Sequence, residues 1–146
     1  APIFVARQLV KHQVGLAWNE VSRRYVDDKP EFYIPFLWRE RAENKKQGSA
    51  ESEVEYDITD FVKSAKSLYS DMLESNIAPE MARMVLPQNM MTEWYWSGSL
   101  YAFTRVCNLR NKDDSQEETR MITQPMAKHL KDHFPISAKY LLDEEI

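Results

Sequence analysis

The stretch KHQVGLAWNEVSRRY, residues 11–25, gathers cationic, imidazole, carboxylate and hydroxyl side chains around a short apolar run. Alternation with period two over residues 18–25 predicts an extended strand with Glu20, Ser22 and Arg24 on one face. Arginine binds phosphate, serine is a neutral donor, and glutamate accepts from a ribose hydroxyl or a base N–H. These are the side chain types that a nucleoside monophosphate requires.

A helix is predicted just before this strand, since Pro2 suits the first helical position and no helix breaker follows through residue 12. Helical spacing separates an apolar face from a contiguous polar stripe made of Arg7, Gln8, Lys11 and His12. A solvated helix face would have the same composition, so the stripe alone leaves both interpretations open. Because the whole chain carries a net charge of −4, this cation-rich region favours a phosphate-bearing small molecule as the ligand.

The rest of the chain predicts a helix-dominated α+β fold with a small sheet, in a single domain that spans residues 1–146. Residues 31–38 and 90–96 are expected to be extended, and residues 43–53 to form a polar loop. One helix is expected to start at Asp57, and a short one to lie over 78–87. A third is expected over 100–110, after a cap in residues 97–99. A last helix is expected after a cap at Asp113 or Asp114, with a kink at Pro125. The first of these helices has an apolar stripe that predicts core: Phe61, Val62, Ala65, Leu68, Tyr69, Met72 and Leu73.

Composition excludes several classes of function. No apolar run approaches the ~18 residues of a membrane span, no signal peptide is recognised, and the acidic net charge disfavours nucleic acid. The one cysteine, Cys107, excludes an internal disulfide and fits a reducing compartment. His129 and His133 have helical spacing but no third ligand, so no metal site is predicted. We expect a cytoplasmic protein without a membrane or nucleic-acid partner.

Three candidate groups have a structural alternative. Arg83 and Arg110 lie in apolar surroundings, where a buried salt bridge is the alternative to a ligand contact. Cys107 lies among bulky apolar residues, which favours a small buried side chain over a nucleophile. The chain has only three glycines and no glycine-rich phosphate loop, so any phosphate must be held by side chains.

Several segments together resemble the flavin-dependent thymidylate synthases. The segments APIFVARQLVKH, WNEVSRRY, EFYIP, ARMVLPQN, WSGSL and CNLR followed by Q.E occur in that family's order and cover nearly the whole chain. The family signature is Arg-His-Arg, seven residues and then Ser. Here it reads Lys11, His12, Gln13, eight residues and then Ser22, so both arginines are replaced and one residue is added.

The resemblance implies roles for individual side chains. Arg110 and Ser22 are implied to be catalytic. Contacts with dUMP are implied for Gln8, Glu20, Ser22, Arg24, Arg83 and Arg110. Contacts with FAD are implied for Lys11, His12, Gln13, Ser99, Arg105 and Gln116, although the family often has asparagine at the positions of Ser99 and Arg105.

The resemblance also implies a reaction and an assembly. The reaction is reductive methylation of dUMP to dTMP, with methylenetetrahydrofolate and NADPH as co-substrates and FAD as cofactor. The assembly is a homotetramer with shared active sites, and the family's additional N-terminal segment is expected to be missing from this sequence. Two alternatives remain: a non-catalytic nucleotide-binding homologue that has lost flavin, and a helical interaction protein with a charged face.

Overall fold

The computed structural model describes residues 1–25, 28–43 and 48–144. The helices, in chain order, are α1 (Ile3–Leu9), α2 (Thr59–Glu74), α3 (Pro79–Ala82), α4 (Leu100–Arg110), α5 (Glu117–His133) and α6 (Pro135–Leu141). The strands are β1 (Leu16–Glu20), β2 (Trp38–Arg39), β3 (Glu53–Val54) and β4 (Trp94–Gly98). A single 3-10 turn, Arg83–Val85, continues α3.

The β1–β4 ribbon is the larger of the two antiparallel pairs in these described ranges, and it pairs Trp18 with Trp96 and Glu20 with Trp94. One face of the ribbon packs on α1 and α4 around a buried cluster of Val5, Leu9 and Val106. Burial of these branched side chains is the main force that holds the ribbon against the helices.

Gly15 makes the turn from α1 into β1. Its φ of +74° lies in the left-handed region, where glycine avoids the strain of a side chain. A Cβ atom at this position would also lie 3.2 Å from the Cβ of Ala102 in α4. The helix and the strand that carry the candidate residues are therefore connected by a tight turn against α4.

An extended segment before β4 bridges two distant parts of the chain. On one side, the backbone N–H of Ile3 donates to the carbonyl of Met90 at 2.9 Å. On the other side, the backbone N–H of Tyr33 donates to the carbonyl of Asn89 at 2.8 Å. These bonds position the start of α1 and the residues before β2 beside each other.

Helix α4 also packs on α5 and α6, and this second layer contains the buried cluster of Cys107, Ala127 and Leu130. Within the described part of the chain, none of the helices has both the length and the apolarity that crossing a membrane requires.

The predicted α+β class is confirmed, with helices predominating. The predictions for α1, the helix pair at Pro79–Val85, β4 and α4 are confirmed within a few residues. Ser99 is the N-cap of α4, because its Oγ accepts a hydrogen bond from the N–H of Ala102 at 3.2 Å.

Three predictions about element limits are wrong. The strand β1 ends at Glu20, because its partner β4 starts at Trp94 and the chain then turns, with the N–H of Tyr25 donating to the carbonyl of Ser22. Helix α5 begins after Gln116, whereas Asp113 and Asp114 lie in the preceding turn. A separate helix, α6, starts at Pro135, where the sequence had predicted one continuous helix.

The predicted core stripe of α2 is only partly correct. Val62, Ala65 and Tyr69 are buried, but the side chains of Phe61 and Leu68 are 60% and 49% exposed. The reason is that the main contacts of α2 in the described structure are with the short helix α3 and its 3-10 turn, which cover one narrow side. Of the predicted polar loop 43–53, residues 44–47 lie outside the described residues, while Glu53 pairs with Arg39 in the β2–β3 hairpin.

Candidate functional site

Cleft 1 is a concave surface of about 640 Å³ at the end of β1. Its lining includes four of the side chains predicted to bind a nucleotide: Glu20, Ser22, Arg24 and Arg83. The first three come from the end of β1 and the following turn, and Arg83 comes from the 3-10 turn after α3. The turn therefore brings together side chains that the sequence had placed on a single strand.

The hydrogen bonds in cleft 1 order its cations. The Nε atom of Arg24 donates to Ser22 Oγ at 3.1 Å, and the Nε atom of Arg83 donates to the carbonyl of Glu80 at 3.2 Å. Arg23, which was not a predicted ligand, pairs with the carboxylate of Asp28 at 2.7 Å. Because neither Arg24 nor Arg83 forms an ion pair with a described residue, both guanidinium groups are suited to bind an anion.

Cleft 2 is wider, about 970 Å³, and lies on the other side of α1. Its predicted residues are Gln8, Lys11, Arg110 and Gln116, and its apolar walls include Phe4, Leu37 and Trp38. Clefts 1 and 2 share no lining residue among the residues that the structure describes. The six predicted dUMP ligands are therefore divided, with Gln8 and Arg110 in cleft 2 and the other four in cleft 1.

A chain of side chain hydrogen bonds connects three helices at cleft 2. The Nε2 atom of Gln8 donates to Gln116 Oε1 at 2.5 Å, and the hydroxyl of Thr119 donates to Gln8 Oε1 at 3.3 Å. Arg110 donates through Nη2 to the carbonyl of Gln8 at 3.3 Å. These bonds fix the side chains that α1, α4 and α5 present to the cleft.

His12 is held as a neutral acceptor. The Nε atom of Arg110 donates to His12 Nε2 at 2.9 Å, which requires that nitrogen to be unprotonated. Burial lowers the pKa of His12, and the positive charges of Arg110 and Arg105 lower it further. The imidazole therefore stays neutral at pH 7 and orients the guanidinium of Arg110.

The other predicted flavin ligands have different positions. Gln13 lies in the turn before β1, Ser99 caps α4, and Arg105 is exposed on α4 close enough to His12 to affect its pKa. None of these three lines cleft 1 or cleft 2 as the described residues form them. Arg110 makes its contacts with His12 and Gln8, so the salt bridge considered as an alternative is not found among the described residues.

Sequence reasoning missed an ionic cluster around the buried carboxylate of Glu118 at cleft 2. Arg39 Nη2 donates to Glu118 Oε1 at 2.6 Å, its Nη1 lies 3.2 Å from Glu117 Oε2, and its Nε donates to Ser49 Oγ at 2.7 Å. The hydroxyl of Tyr33 also donates to Glu118 Oε1, at 3.4 Å. The Q.E motif was a signal for Glu118, but Arg39 lies 79 positions away in the chain, and no local pattern connects the two.

The pKa values in this cluster reflect burial and pairing together. Burial raises the pKa of Glu118, but the hydrogen bond and the positive charge of Arg39 outweigh burial and lower the pKa below its usual range. Burial also raises the pKa of Tyr33, and the charge of Glu118 raises it further. Glu118 is therefore an ionised carboxylate in a side chain that is 7% exposed.

Replacing Arg39 with methionine should lower the free energy of unfolding by about 3 kcal/mol at pH 7, because Glu118 would remain buried without its cation. Because the pKa of Glu118 is lowered in the folded protein, its ion pair with Arg39 stabilises the fold fully above the ordinary glutamate pKa of about 4.3. This stabilisation is lost as pH falls through the lowered pKa. Urea unfolding at pH 7 and at pH 3 should therefore show a smaller difference between wild type and variant at the lower pH.

The matched control is Arg120→Met on α5. Arg120 lies 3.6 Å from Asp113, whose side chain is 99% exposed, so its loss should change stability by less than about 1 kcal/mol. Equal destabilisation by both substitutions, or a difference at Arg39 that does not change with pH, would show that the Arg39–Glu118 pair does not stabilise the fold as described.

Known proteins with similar sequences carry one consistent description. Residues 1–136 match the thymidylate synthase complementing protein family. A flavin-dependent thymidylate synthase of Thermus thermophilus is 36% identical over 141 residues, which cover 94% of this chain and 52% of that protein. The flavin-dependent thymidylate synthase of Aquifex aeolicus is 40% identical over 126 residues, which cover 82% of this chain and 39% of that protein.

A solved structure is also similar. The crystal structure of the UMP/dUMP methylase PolB from Streptomyces cacaoi, bound with 5-Br dUMP, matches with a TM-score of 0.82 and 26% identity. The match covers 95% of this chain and 66% of PolB. The chain spans about half the length of the Thermus relative that it matches. The resemblance inferred from the sequence motifs is confirmed, and the chain belongs to the thymidylate synthase complementing protein family.

Proposed function

We propose that this chain forms part of a cytoplasmic flavin-dependent thymidylate synthase that converts dUMP to dTMP. Methylenetetrahydrofolate is the one-carbon donor, and NADPH supplies reducing equivalents through FAD. The proposal is supported by relatives named flavin-dependent thymidylate synthase and by the similarity to a UMP/dUMP methylase. The observation that carries it is cleft 1, whose lining gathers four of the predicted nucleotide ligands, Glu20, Ser22, Arg24 and Arg83. The other two predicted ligands, Gln8 and Arg110, line cleft 2, so the set is divided between the two clefts.

This division supports an active site that is shared between subunits. A single nucleotide contacts both groups of ligands if cleft 1 of one subunit faces cleft 2 of a neighbour. The resemblance implies a homotetramer. Large apolar side chains that are available for subunit contacts are exposed on α2, α3 and the 3-10 turn: Phe61, Leu68, Met81 and Met84. Each tetramer then contains several composite sites, each built from two chains.

The residues of cleft 2 fit a flavin. Phe4, Leu37 and Trp38 offer apolar and aromatic surface to a planar ring, and Lys11 offers a charge to phosphate. Trp38 Nε1 is buried and has no hydrogen-bond partner among the described residues, so a donor is present at this wall. FAD bound here would carry the reducing equivalents of NADPH to the substrate, and Gln116 is held at the same cleft by Gln8.

The protein's own side chains bind and polarise the nucleotide. Arg24 and Arg83 bind the phosphate, and Glu20 accepts a hydrogen bond from the sugar or the base. Ser22 is kept in place by its hydrogen bond from Arg24. Arg110, oriented by His12, stabilises the negative charge that develops on the pyrimidine oxygens. Cys107 does not serve as a nucleophile, because its thiol is fully buried.

FAD should bind despite the replaced signature, and Lys11→Arg should lower its dissociation constant by about fivefold. A guanidinium presents a planar pair of donors to phosphate, whereas an ammonium is a point charge, and the difference is on the order of 1 kcal/mol. Titration of the apoprotein with FAD, followed by flavin fluorescence, measures the effect. Lys63→Arg is the control, because Lys63 is exposed on α2 and lines neither cleft. An unchanged or weaker affinity in Lys11→Arg would show that Lys11 does not face the phosphate.

The reaction itself is tested with the purified protein. It should be yellow from bound oxidised FAD, and it should form dTMP only when dUMP, methylenetetrahydrofolate and NADPH are all present. A colourless protein that still binds dUMP would favour the non-catalytic nucleotide-binding homologue. Binding of neither FAD nor dUMP would contradict the proposed function.

A further inference from the structure

The carboxylate of Glu20 is held by two donors although its side chain is exposed in cleft 1. The indole Nε1 of Trp18 donates to Glu20 Oε2 at 3.0 Å. The hydroxyl of Thr92 donates to Glu20 Oε1 at 2.8 Å. An exposed glutamate ordinarily samples several rotamers, and ordering it costs up to about 2 kcal/mol. Here both oxygens are engaged before any ligand binds.

Trp18 is itself fixed by its neighbours. Its ring stacks on Trp94 with a centroid distance of 4.3 Å and an interplanar angle of 18°. It meets Trp96 edge-on at 5.3 Å. The same ring packs on the buried cluster around Val5 and Leu9. The indole N–H is therefore held in one direction by the core.

The backbone register explains why these donors reach Glu20. Trp18 and Glu20 are two positions apart on β1, so their side chains lie on the same face of the ribbon. Thr92 precedes β4, and the N–H of Val21 donates to the carbonyl of Glu93 at 3.0 Å, which continues the pairing beyond the strand. Thr92 thus lies beside the end of β1, within reach of the carboxylate.

We propose that Trp18 and Thr92 are positioning residues, which fix the Glu20 carboxylate in cleft 1 for a hydroxyl or N–H donor of the bound nucleotide. The inference rests on the proposed function, because it assumes that cleft 1 binds dUMP. A carboxylate offers about four lone-pair sites, so the two internal bonds leave acceptor sites for the ligand. Trp18 and Thr92 increase nucleotide affinity without contacting the nucleotide, since the ordering of Glu20 is completed on folding.

Trp18→Phe and Thr92→Val test this inference, with Trp96→Phe as the matched control. Each test substitution removes one donor to Glu20. Thr92→Val keeps the shape of the side chain, and Trp18→Phe keeps an aromatic ring in a smaller side chain. The control keeps an aromatic ring beside Trp18 and removes an indole N–H that has no hydrogen-bond partner among the described residues. Isothermal titration should show that the dUMP dissociation constant rises about fivefold in each test variant and stays within twofold of wild type in the control.

A double-mutant cycle with Glu20→Ala separates positioning from general packing. Trp18→Phe should have no further effect on dUMP affinity when Glu20 is already alanine. An equal loss of affinity in Trp18→Phe and Trp96→Phe would overturn the inference. A loss on Trp18→Phe that persists in the Glu20→Ala background would overturn it as well.

A nucleotide-free measurement keeps this inference separate from the proposed function. The indole N–H resonance of Trp18 in a nitrogen-15 spectrum should shift on Glu20→Ala, while that of Trp96 should not. An unchanged Trp18 resonance would contradict the contact itself. A shifted resonance in a protein that does not bind dUMP would contradict the proposed nucleotide site, and with it the positioning role.

Discussion

Arg110→Lys should reduce the rate of dTMP formation by about 10²–10³-fold, the usual effect of losing a fixed donor to charge that develops in the transition state. The guanidinium is anchored through Nε to His12 and through Nη2 to the carbonyl of Gln8. Its other N–H groups have no further partner among the described residues and are directed by the rigid plane of the group. Lysine has one nitrogen and cannot keep both anchors while it contacts a substrate oxygen.

The same variant should keep its flavin colour, because Lys11, Trp38 and Gln116 of cleft 2 are unchanged. Single-turnover measurement of dTMP formation, with FAD content determined from the visible spectrum, distinguishes a loss of chemistry from a loss of cofactor. A near-normal rate in Arg110→Lys would show that the guanidinium does not stabilise the developing charge.

Cys107→Ala is the control for this prediction, because Cys107 lies one turn earlier on the same helix. Its side chain is fully buried, and burial raises the pKa of the thiol to about 11, so almost no thiolate exists at neutral pH. The variant should retain the wild-type rate and lose only about 1 kcal/mol of stability from the small cavity. A folded but inactive Cys107→Ala protein would instead indicate a cysteine nucleophile.

Local patterns in the sequence predicted much of the fold. Helical spacing after Pro2 located α1, the cap in residues 97–99 located α4, and the strand preference of the aromatic segment 90–96 located β4. The start of α5 was missed because Gln116 provides no side chain cap, whereas the nearby aspartates offered a false cap signal. The separate α6 was missed although Pro135, which begins it directly after the C-cap residue Phe134, is a helix-boundary signal in the sequence.

The candidate site was predicted less well, and the reason is that its contacts are long-range. Glu20, Ser22 and Arg24 line one cleft, but a turn brings them together and not strand alternation. The separation of Gln8 from Glu20 depends on how the segment before β4 holds α1, and this is tertiary information. The indole bond from Trp18 to Glu20 likewise depends on the packing of three tryptophan rings from two strands.

The proposed shared active site predicts that two inactive variants restore each other. Arg24→Ala removes a phosphate ligand from cleft 1, and Arg110→Ala removes a ligand from cleft 2, so each variant alone should lose at least about a hundredfold in rate. In mixed assemblies, a composite site can take its intact cleft 1 from one variant and its intact cleft 2 from the other. Equal random mixing leaves about a quarter of the composite sites intact, because each cleft is intact in half of the chains.

Co-expression of the two variants with different affinity tags, followed by purification over both tags, provides mixed assemblies. Sedimentation then measures the size of these assemblies. A mixture of Arg24→Ala with Arg83→Ala is the control, because both substitutions damage cleft 1 and leave no composite site intact. The central claim is that clefts 1 and 2 of different subunits form one site for dUMP. It predicts that the mixture of Arg24→Ala with Arg110→Ala forms dTMP at about a quarter of the wild-type rate. The control mixture should form none above background. Mixed tetramers of Arg24→Ala and Arg110→Ala that are no more active than either variant alone would contradict it.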